Sequence, residues 1–192
     1  MDVMVQGGQR PERPVRGEVV ANNVVVFDLE DARRIYAAAF YGKPLGVPKP
    51  KDYAFEAPLL LDLVEACYLA EEGMLEVYEG DVKLSFSELF TKGSRSNSRF
   101  EQLYRVYRDL RKRGFVVTSG IKFGSDFAVY KYGPGIDHAP FIVQVMQENE
   151  AITAADLVRA GRLATTVRKN FIVAIPRKDG RVRYLVFSWL RI

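Results

Sequence analysis

The feature that most restricts this chain is a change of hydrophobic period at Gly114. Ahead of it, Phe100, Leu103, Tyr104, Tyr107 and Leu110 recur at the spacing of one helix face, while Arg105, Arg108, Arg111 and Lys112 fall largely on other faces. Gly114 closes that helix, because glycine enters the left-handed region without a Cβ penalty. Behind it, residues 115–119, 122–132 and 141–146 alternate or run apolar, the pattern of strands. A helical period does not serve as a strand, nor the reverse. The second half must therefore lay helix against sheet.

The first half is a mixture of both. Val19, Val20 and the run Val24-Val25-Val26-Phe27 predict strand over residues 18–27, with a turn at Asn22-Asn23. Asp28 is placed to cap a helix that runs to about Tyr41 and stops at Gly42. Residues 42–51 hold three prolines and three lysines, which excludes regular structure and predicts a basic surface loop. A second helix is expected from Pro58 to Gly73, with Leu60, Leu63, Val64, Cys67 and Tyr68 on its apolar stripe. A hairpin turning at Glu79-Gly80-Asp81 follows, then a capping box of Ser85 and Glu88 that opens a short helix. The polar run 92–99 reads as an exposed connection. In the second half, Thr153 and Asp156 start another helix ending near Gly161, and residues 170–176 form a short buried strand. Lys178-Asp179-Gly180 turns the chain into a last strand over 183–190. The expected class is α+β: a flexible tail at 1–16, a small α/β domain at 17–99, and a mixed sheet with helices at 100–192.

The 28 basic and 24 acidic residues give a net charge of +4, a mild bias toward an anionic partner. No apolar run approaches the roughly 20 residues that span a bilayer. Residues 1–16 are polar and lack the apolar stretch of a secretory signal. The single cysteine, Cys67, cannot form an internal disulfide and sits on an apolar helix face. These features lead us to expect a cytoplasmic protein with no membrane partner.

Three residues carry candidate chemistry. His138, the one histidine, is the only side chain whose ordinary pKa lies near neutrality. It stands between the loop Gly133-Pro134-Gly135-Ile136-Asp137 and the strand at 141–146. Tyr130 comes just before that loop, so both side chains are placed to face one site. Lys169 precedes the strand at 170–176, where an ammonium can hold a phosphate as a point charge. Phe123 and Phe127 are read as core. Asp126 and Asp137 lack a third partner for a metal ion.

The residues Leu110-Arg111-Lys112-Arg113-Gly114-Phe115-Val116-Val117, the stretch 120–130, His138, Val167-Arg168-Lys169 and the final strand at 182–190 resemble the catalytic domain of archaeal tRNA-splicing endonucleases. Residues 61–75 are similar, less specifically, to that family's N-terminal domain. The resemblance implies a restriction-endonuclease-like catalytic domain, no cofactor and no metal. It assigns Tyr130 as general base on a 2′-hydroxyl, His138 as general acid for the leaving 5′-oxygen, and Lys169 as the cation that stabilises the phosphorane-like transition state. The implied substrate is a precursor tRNA folded as a bulge-helix-bulge, and the products are a 2′,3′-cyclic phosphate and a 5′-hydroxyl end. Arg162 and Tyr184 resemble the pair that sandwiches a bulge base, with Trp189 an alternative to Tyr184. The basic loop around Lys43 is similar to one found in crenarchaeal heterotetramers, which suggests that Lys43 touches the RNA backbone. The expected assembly is a heterotetramer with a second, structural subunit, otherwise a homotetramer. The acidic loop 147–150 and the last strand resemble parts that join subunits.

The chemistry suits these residue types. In-line attack by a neighbouring 2′-hydroxyl needs a proton acceptor on one side and a donor on the other. A cation offsets the charge that develops between them, and an ammonium beside a phenol favours the phenolate. Competing readings are a non-catalytic subunit of the same complex, a metal-dependent DNA nuclease of related fold, and a nucleic-acid-binding module resting on the basic helix at 100–113.

Overall fold

A computed structural model describes residues 11–47, 50, 53–166 and 170–187. The chain divides into two units inside one helix, the first holding the described residues up to Tyr104 and the second those from Arg105 onward. The sequence reading put this division at residue 99.

The N-terminal unit is a mixed sheet with helices. Strand β1 (Val15–Val20) pairs antiparallel with β2 (Asn23–Val26). Val15 is almost fully buried, so the strand takes in Val15 and Arg16 from the stretch expected to be tail. The turn falls one residue earlier than expected: Ala21 takes a φ of 53°, and Asn23 already pairs with Val20. Helix α1 (Leu29–Ala39) is capped by the Asp28 carboxylate, which accepts from the Asp31 N–H at 2.9 Å. It stops at Phe40, in the left-handed region, rather than at Gly42. Phe40 holds that conformation inside an aromatic cluster, its ring 5.5 Å from Tyr36 and 5.8 Å from Tyr53.

Two expectations fail in the next stretch. Residues 42–51 do carry regular structure: β3 (Lys43–Pro44) pairs with β4 (Leu59–Asp62) at the sheet edge. An edge position tolerates Pro44, which has no N–H to give. The second helix starts five residues after Pro58, because residues 59–62 are strand. Leu59 and Leu61 alternate inward there and pair with β2. Helix α2 (Leu63–Glu71) begins instead at Asp62, whose carboxylate caps the Glu65 N–H while Glu65 caps back. Strands β5 (Leu75–Glu79) and β6 (Val82–Lys83) complete the order β3-β4-β2-β1-β5-β6.

Helix α3 (Phe86–Ser96) opens with the expected Ser85–Glu88 capping box. It is longer than expected and absorbs residues 92–96, taken from sequence as an open connection. Leu89 is buried, and Gly93 lies under the Phe100 ring, where any Cβ would collide. The Ser94 and Ser96 hydroxyls return to the helix carbonyls of Phe90 and Gly93. Helix α4 (Phe100–Lys112) follows, as its stripe predicts. In its first turns Phe100 and Tyr104 pack with Phe90, and the Tyr104 hydroxyl donates to Glu71 at 2.7 Å.

The C-terminal unit is a five-stranded sheet built from β7 (Val116–Ser119), β8 (Phe127–Tyr130), β9 (Phe141–Val145), β10 (Asn170–Pro176) and β11 (Val182–Phe187), in the order β11-β10-β9-β8-β7. Only β9 and β10 run parallel, and helix α5 (Ala154–Thr166) lies between them in the chain as the crossover such a pair requires. The strand expected over 122–132 is shorter. Residues 121–123 form a single 3-10 turn, and pairing starts at Phe127. Register places Ala128, Ile142, Phe171 and Phe187 in one row on one face. The opposite face carries Phe127, Val129, Val143, Val145 and Ala174, and Tyr107 of α4 meets Phe127 there at 5.8 Å between ring centres.

Three basic side chains of the stretch 100–113 are engaged within the fold. Arg111 is buried, giving Nε–H to the Tyr107 hydroxyl and Nη2–H to the Val117 carbonyl, both at 2.9 Å. Arg113 pairs with Asp109, and Arg105 donates to the Arg177 carbonyl.

Candidate active site

Tyr130 is the last residue of β8, opposite Val116 on the neighbouring strand. It shares a face with Ala128 and is half-buried against the cluster of Ala128, Ala139, Ile142 and Phe171. Burial pushes its phenol above the ordinary tyrosine value, the Asp137 carboxylate adds to that, and a hydrogen bond with the Thr118 hydroxyl opposes it.

The chain then leaves the sheet after Tyr130 and returns at Phe141, with His138 three residues before the return. Gly133 and Gly135 both take positive φ, 133° and 87°, which a residue with a Cβ adopts at a cost. The loop is closed by Asp137. Its Oδ2 accepts from the Lys131 N–H at 3.0 Å, and its Oδ1 accepts from Gly133 at 2.7 Å and Tyr132 at 3.3 Å. The N–H groups of Ile136 and Asp137 both donate to the Gly133 carbonyl at 3.1 Å. His138 follows, exposed to solvent, and Ala139 after it is buried.

At the same end of the sheet β10 begins. The Asn170 N–H donates to the Pro140 carbonyl at 2.9 Å, and Asn170 pairs with Phe141, which in turn pairs with Val129. Tyr130, the His138 loop and the start of β10 therefore occupy one sheet end. Lys169, the third candidate, lies outside the described residues, as does Trp189.

The other candidates are elsewhere. Arg162 is exposed on α5. Tyr184 lies opposite Ala174, on the sheet face away from Tyr130. Its hydroxyl donates to Asp109 at 2.6 Å, and the Arg113 guanidinium sits 5.6 Å from its ring centre. Burial and that carboxylate raise its pKa strongly. Lys43 is exposed on the edge strand of the N-terminal unit. In the acidic loop, Glu148 pairs with Arg177 at 3.1 Å, and Glu150 accepts from the Gln147 N–H.

Two contributors were not read from sequence. Asp137 was weighed only as a metal ligand, although an aspartate closing a Gly-Pro-Gly loop is a known turn device and could have been recognised as one. Thr118 carries no local signal, because the strand register alone brings it beside Tyr130. Among the described residues, no three His, Cys, Asp or Glu side chains gather as a metal site. Tyr130 and His138 flank the segment that Asp137 closes.

Residues 100–184 match the tRNA intron endonuclease, catalytic C-terminal domain, and residues 15–90 match the tRNA intron endonuclease, N-terminal domain. The chain is 52% identical over 178 residues to a tRNA-splicing endonuclease from Hyperthermus butylicus, spanning 91% of this chain and 98% of that one. It is 42% identical to a tRNA-splicing endonuclease from Sulfurisphaera tokodaii, over 92% of this chain and 99% of the relative. A protein of the same name from Sulfolobus acidocaldarius is 39% identical over 93% and 99%. No helix among the described residues is long and apolar enough to cross a membrane. With both domain matches in order and relatives aligned along nearly their whole length, this chain belongs to the tRNA intron endonuclease family.

Proposed function

We propose that this chain, an endonuclease that cuts introns out of precursor tRNA, does so at bulge-helix-bulge sites by metal-independent acid–base catalysis through Tyr130, His138 and Lys169. The observation that carries the reading is the match of residues 100–184 to the family's catalytic domain, a span that includes all three. Tyr130, as phenolate, takes the proton of the 2′-hydroxyl. The 2′-oxygen bonds to phosphorus, the bond from phosphorus to the 5′-oxygen breaks, and His138 gives its proton to that oxygen. The products are a 2′,3′-cyclic phosphate and a 5′-hydroxyl. Because burial and Asp137 hold the Tyr130 phenol protonated, the base needs a cation beside it, and Lys169 takes that part as well as meeting the phosphate charge.

Arg162 and Tyr184 or Trp189 stack on a bulge base, and Lys43 meets the RNA backbone. The chain works in the cytoplasm as the catalytic half of a heterotetramer with a structural subunit. Exposed apolar side chains on α5 and on the edge strand β11, Leu157, Val158 and Val186 among them, support the need for a neighbour. A homotetramer is the second arrangement, and cleavage by the purified chain without a smaller partner would select it.

The decisive experiment is cleavage of a bulged precursor tRNA in excess chelator. We expect activity to persist, to vanish with a 2′-deoxy nucleotide at the cut site, and to fall roughly 10²–10⁴-fold in His138→Ala and in Tyr130→Phe. Loss of activity in chelator, or full activity in His138→Ala, would overturn the mechanism.

A further inference from the structure

The loop between Tyr130 and His138 is turned by the Gly133 carbonyl, which accepts from Ile136 and Asp137, but those bonds lie within residues 133–137 and do not reach back to the strand that carries Tyr130. Tyr132 is 52% exposed and Ile136 63% exposed, so neither anchors it by burial. Two glycines with positive φ add backbone freedom that the folded state must suppress. On either side the chain is well fixed: Tyr130 is paired within the sheet, and Ala139 is buried in the core beneath it. Within the span, and among the described residues, the Asp137 carboxylate reaches across to three backbone N–H groups. The first of these belongs to Lys131, the residue after Tyr130, and the carboxylate belongs to the residue before His138. Charge-assisted hydrogen bonds of this kind are stronger than neutral ones. They connect the two ends of the loop at the points where the acid and the base are attached.

We propose that Asp137 is a positioning residue: its carboxylate closes the 131–137 loop and thereby fixes the backbone that carries His138 relative to the strand that carries Tyr130. The proposal rests on the cleavage mechanism above and adds to it a residue that need touch neither substrate nor reacting atoms. Proton transfer depends steeply on placement, and a shift of about 1 Å costs on the order of 10²-fold in rate. The carboxylate also disfavours the Tyr130 phenolate. That cost makes a directly catalytic role for Asp137 a poor fit and a geometric one a better fit.

The test uses the active full-length assembly with Asp137→Ala and Asp137→Asn. Single-turnover cleavage at varied enzyme concentration separates the cutting step from RNA binding, and hydrogen exchange follows the amides of Lys131, Tyr132 and Gly133. In Asp137→Ala we expect those amides to exchange faster, the cutting rate to fall roughly 10–100-fold, and half-saturation to change less than about 3-fold. Asparagine keeps one carbonyl oxygen, which can still accept from Tyr132 and Gly133, but sets an NH₂ against the Lys131 N–H. Asp137→Asn should therefore recover much of the rate, while the Lys131 amide stays exposed to exchange. The thermal midpoints of both variants establish that the chain remains folded. A folded Asp137→Ala that cuts at the wild-type rate would overturn the proposal, as would wild-type protection of the three amides in that variant. A wild-type chain that cuts no bulged RNA would overturn the cleavage mechanism instead, and unprotected amides in the variant would still establish the clasp.

Discussion

Helices α2 and α5 each accompany a mixed sheet, and they leave very different surfaces in water. In α2 seven of nine residues are buried, from Leu63 through Leu69. In α5, Leu157 is 52% exposed and Val158 63% exposed, and the edge strand β11 leaves Val186 59% exposed. The acidic side chains differ in part: both units cap helices with them, Asp156 doing so with Thr153 at the start of α5, and the C-terminal unit also uses them elsewhere. In the N-terminal unit, Asp28, Asp62 with Glu65, and Ser85 with Glu88 satisfy the free N–H groups of helix starts. In the C-terminal unit, Asp137 closes a loop, Asp126 accepts from the Val145 N–H and the Gln144 amide across the sheet, and Asp109 takes the Tyr184 hydroxyl. Both units leave apolar side chains in water, Val82 in the first as far exposed as Val158 in the second, so the difference lies between α2 and α5 rather than between whole units. The C-terminal unit adds to its helix cap a set of carboxylates that hold a loop, a strand and a phenol. The contrast teaches that two helices beside mixed sheets can differ widely in how much of their apolar face the fold covers.

Substitutions that act on one side of that contrast can break it. The largest stability effect is expected at Leu69, which is fully buried in α2. Leu69→Ala should cost about 2–5 kcal/mol in chemical denaturation, while the cutting rate per folded molecule stays at the wild-type level. A rate that fell in step with stability would show that the N-terminal unit shapes the chemistry after all.

A smaller effect is expected at Tyr184, whose hydroxyl is held by a carboxylate. Tyr184→Phe should cost about 1.5–3 kcal/mol at neutral pH, the range for a hydrogen bond to a charged group. Burial and Asp109 raise the folded-state pKa of Tyr184 above its unfolded value. The unfolded chain releases this proton near pH ~10 while the folded chain keeps it, so the stabilisation is complete below that pH and is lost as pH rises beyond it. Denaturation midpoints measured from pH 8 to 11 should fall less steeply for Tyr184→Phe than for the wild type. Parallel curves would mean that Tyr184 ionises equally in both states.

The smallest effect sharpens the capping half of the contrast. Ser85→Ala removes the hydroxyl that accepts from the Glu88 N–H and should cost about 1 kcal/mol. The same substitution removes the Ser85 hydroxyl bond to Glu88, the larger of the two from Ser85 that hold its carboxyl below the usual range, and leaves the backbone N–H bond in place. Its pKa, followed by NMR titration, should move upward toward the ordinary glutamate value. A Glu88 titration that does not change would show that the backbone N–H alone sets it.

How much of this was legible depended on whether the signal was local. The caps at Asp28 and Ser85, the turn at Gly80 and the β10 strand were readable because each is decided by a few neighbouring residues. Residues 59–62 were misread as helix because Leu60 and Leu63 also satisfy a helical spacing; pairing with β2, distant in sequence, settled them as strand. Residues 92–96 were misread as an open connection because their polarity says nothing of Gly93 fitting under Phe100. Arg111 was placed off the apolar stripe of its helix, and only the fold supplied the buried carbonyl of Val117 that receives it.

The sequence by itself determined where helices open at Asp28 and Ser85, the mixed class of helices with sheets, and the family to which Tyr130, His138 and Lys169 point. Local backbone chemistry and recurring residue types are enough for that. It did not place every helix end, since α1 stops before Gly42 and α5 runs past Gly161. Tertiary structure alone decided that Thr118 stands beside Tyr130, that Tyr184 is pinned on the opposite face by Asp109, and that Asp137 closes the loop before His138. These depend on strand register and loop closure, which bring together atoms whose separation along the chain says nothing about their distance in space.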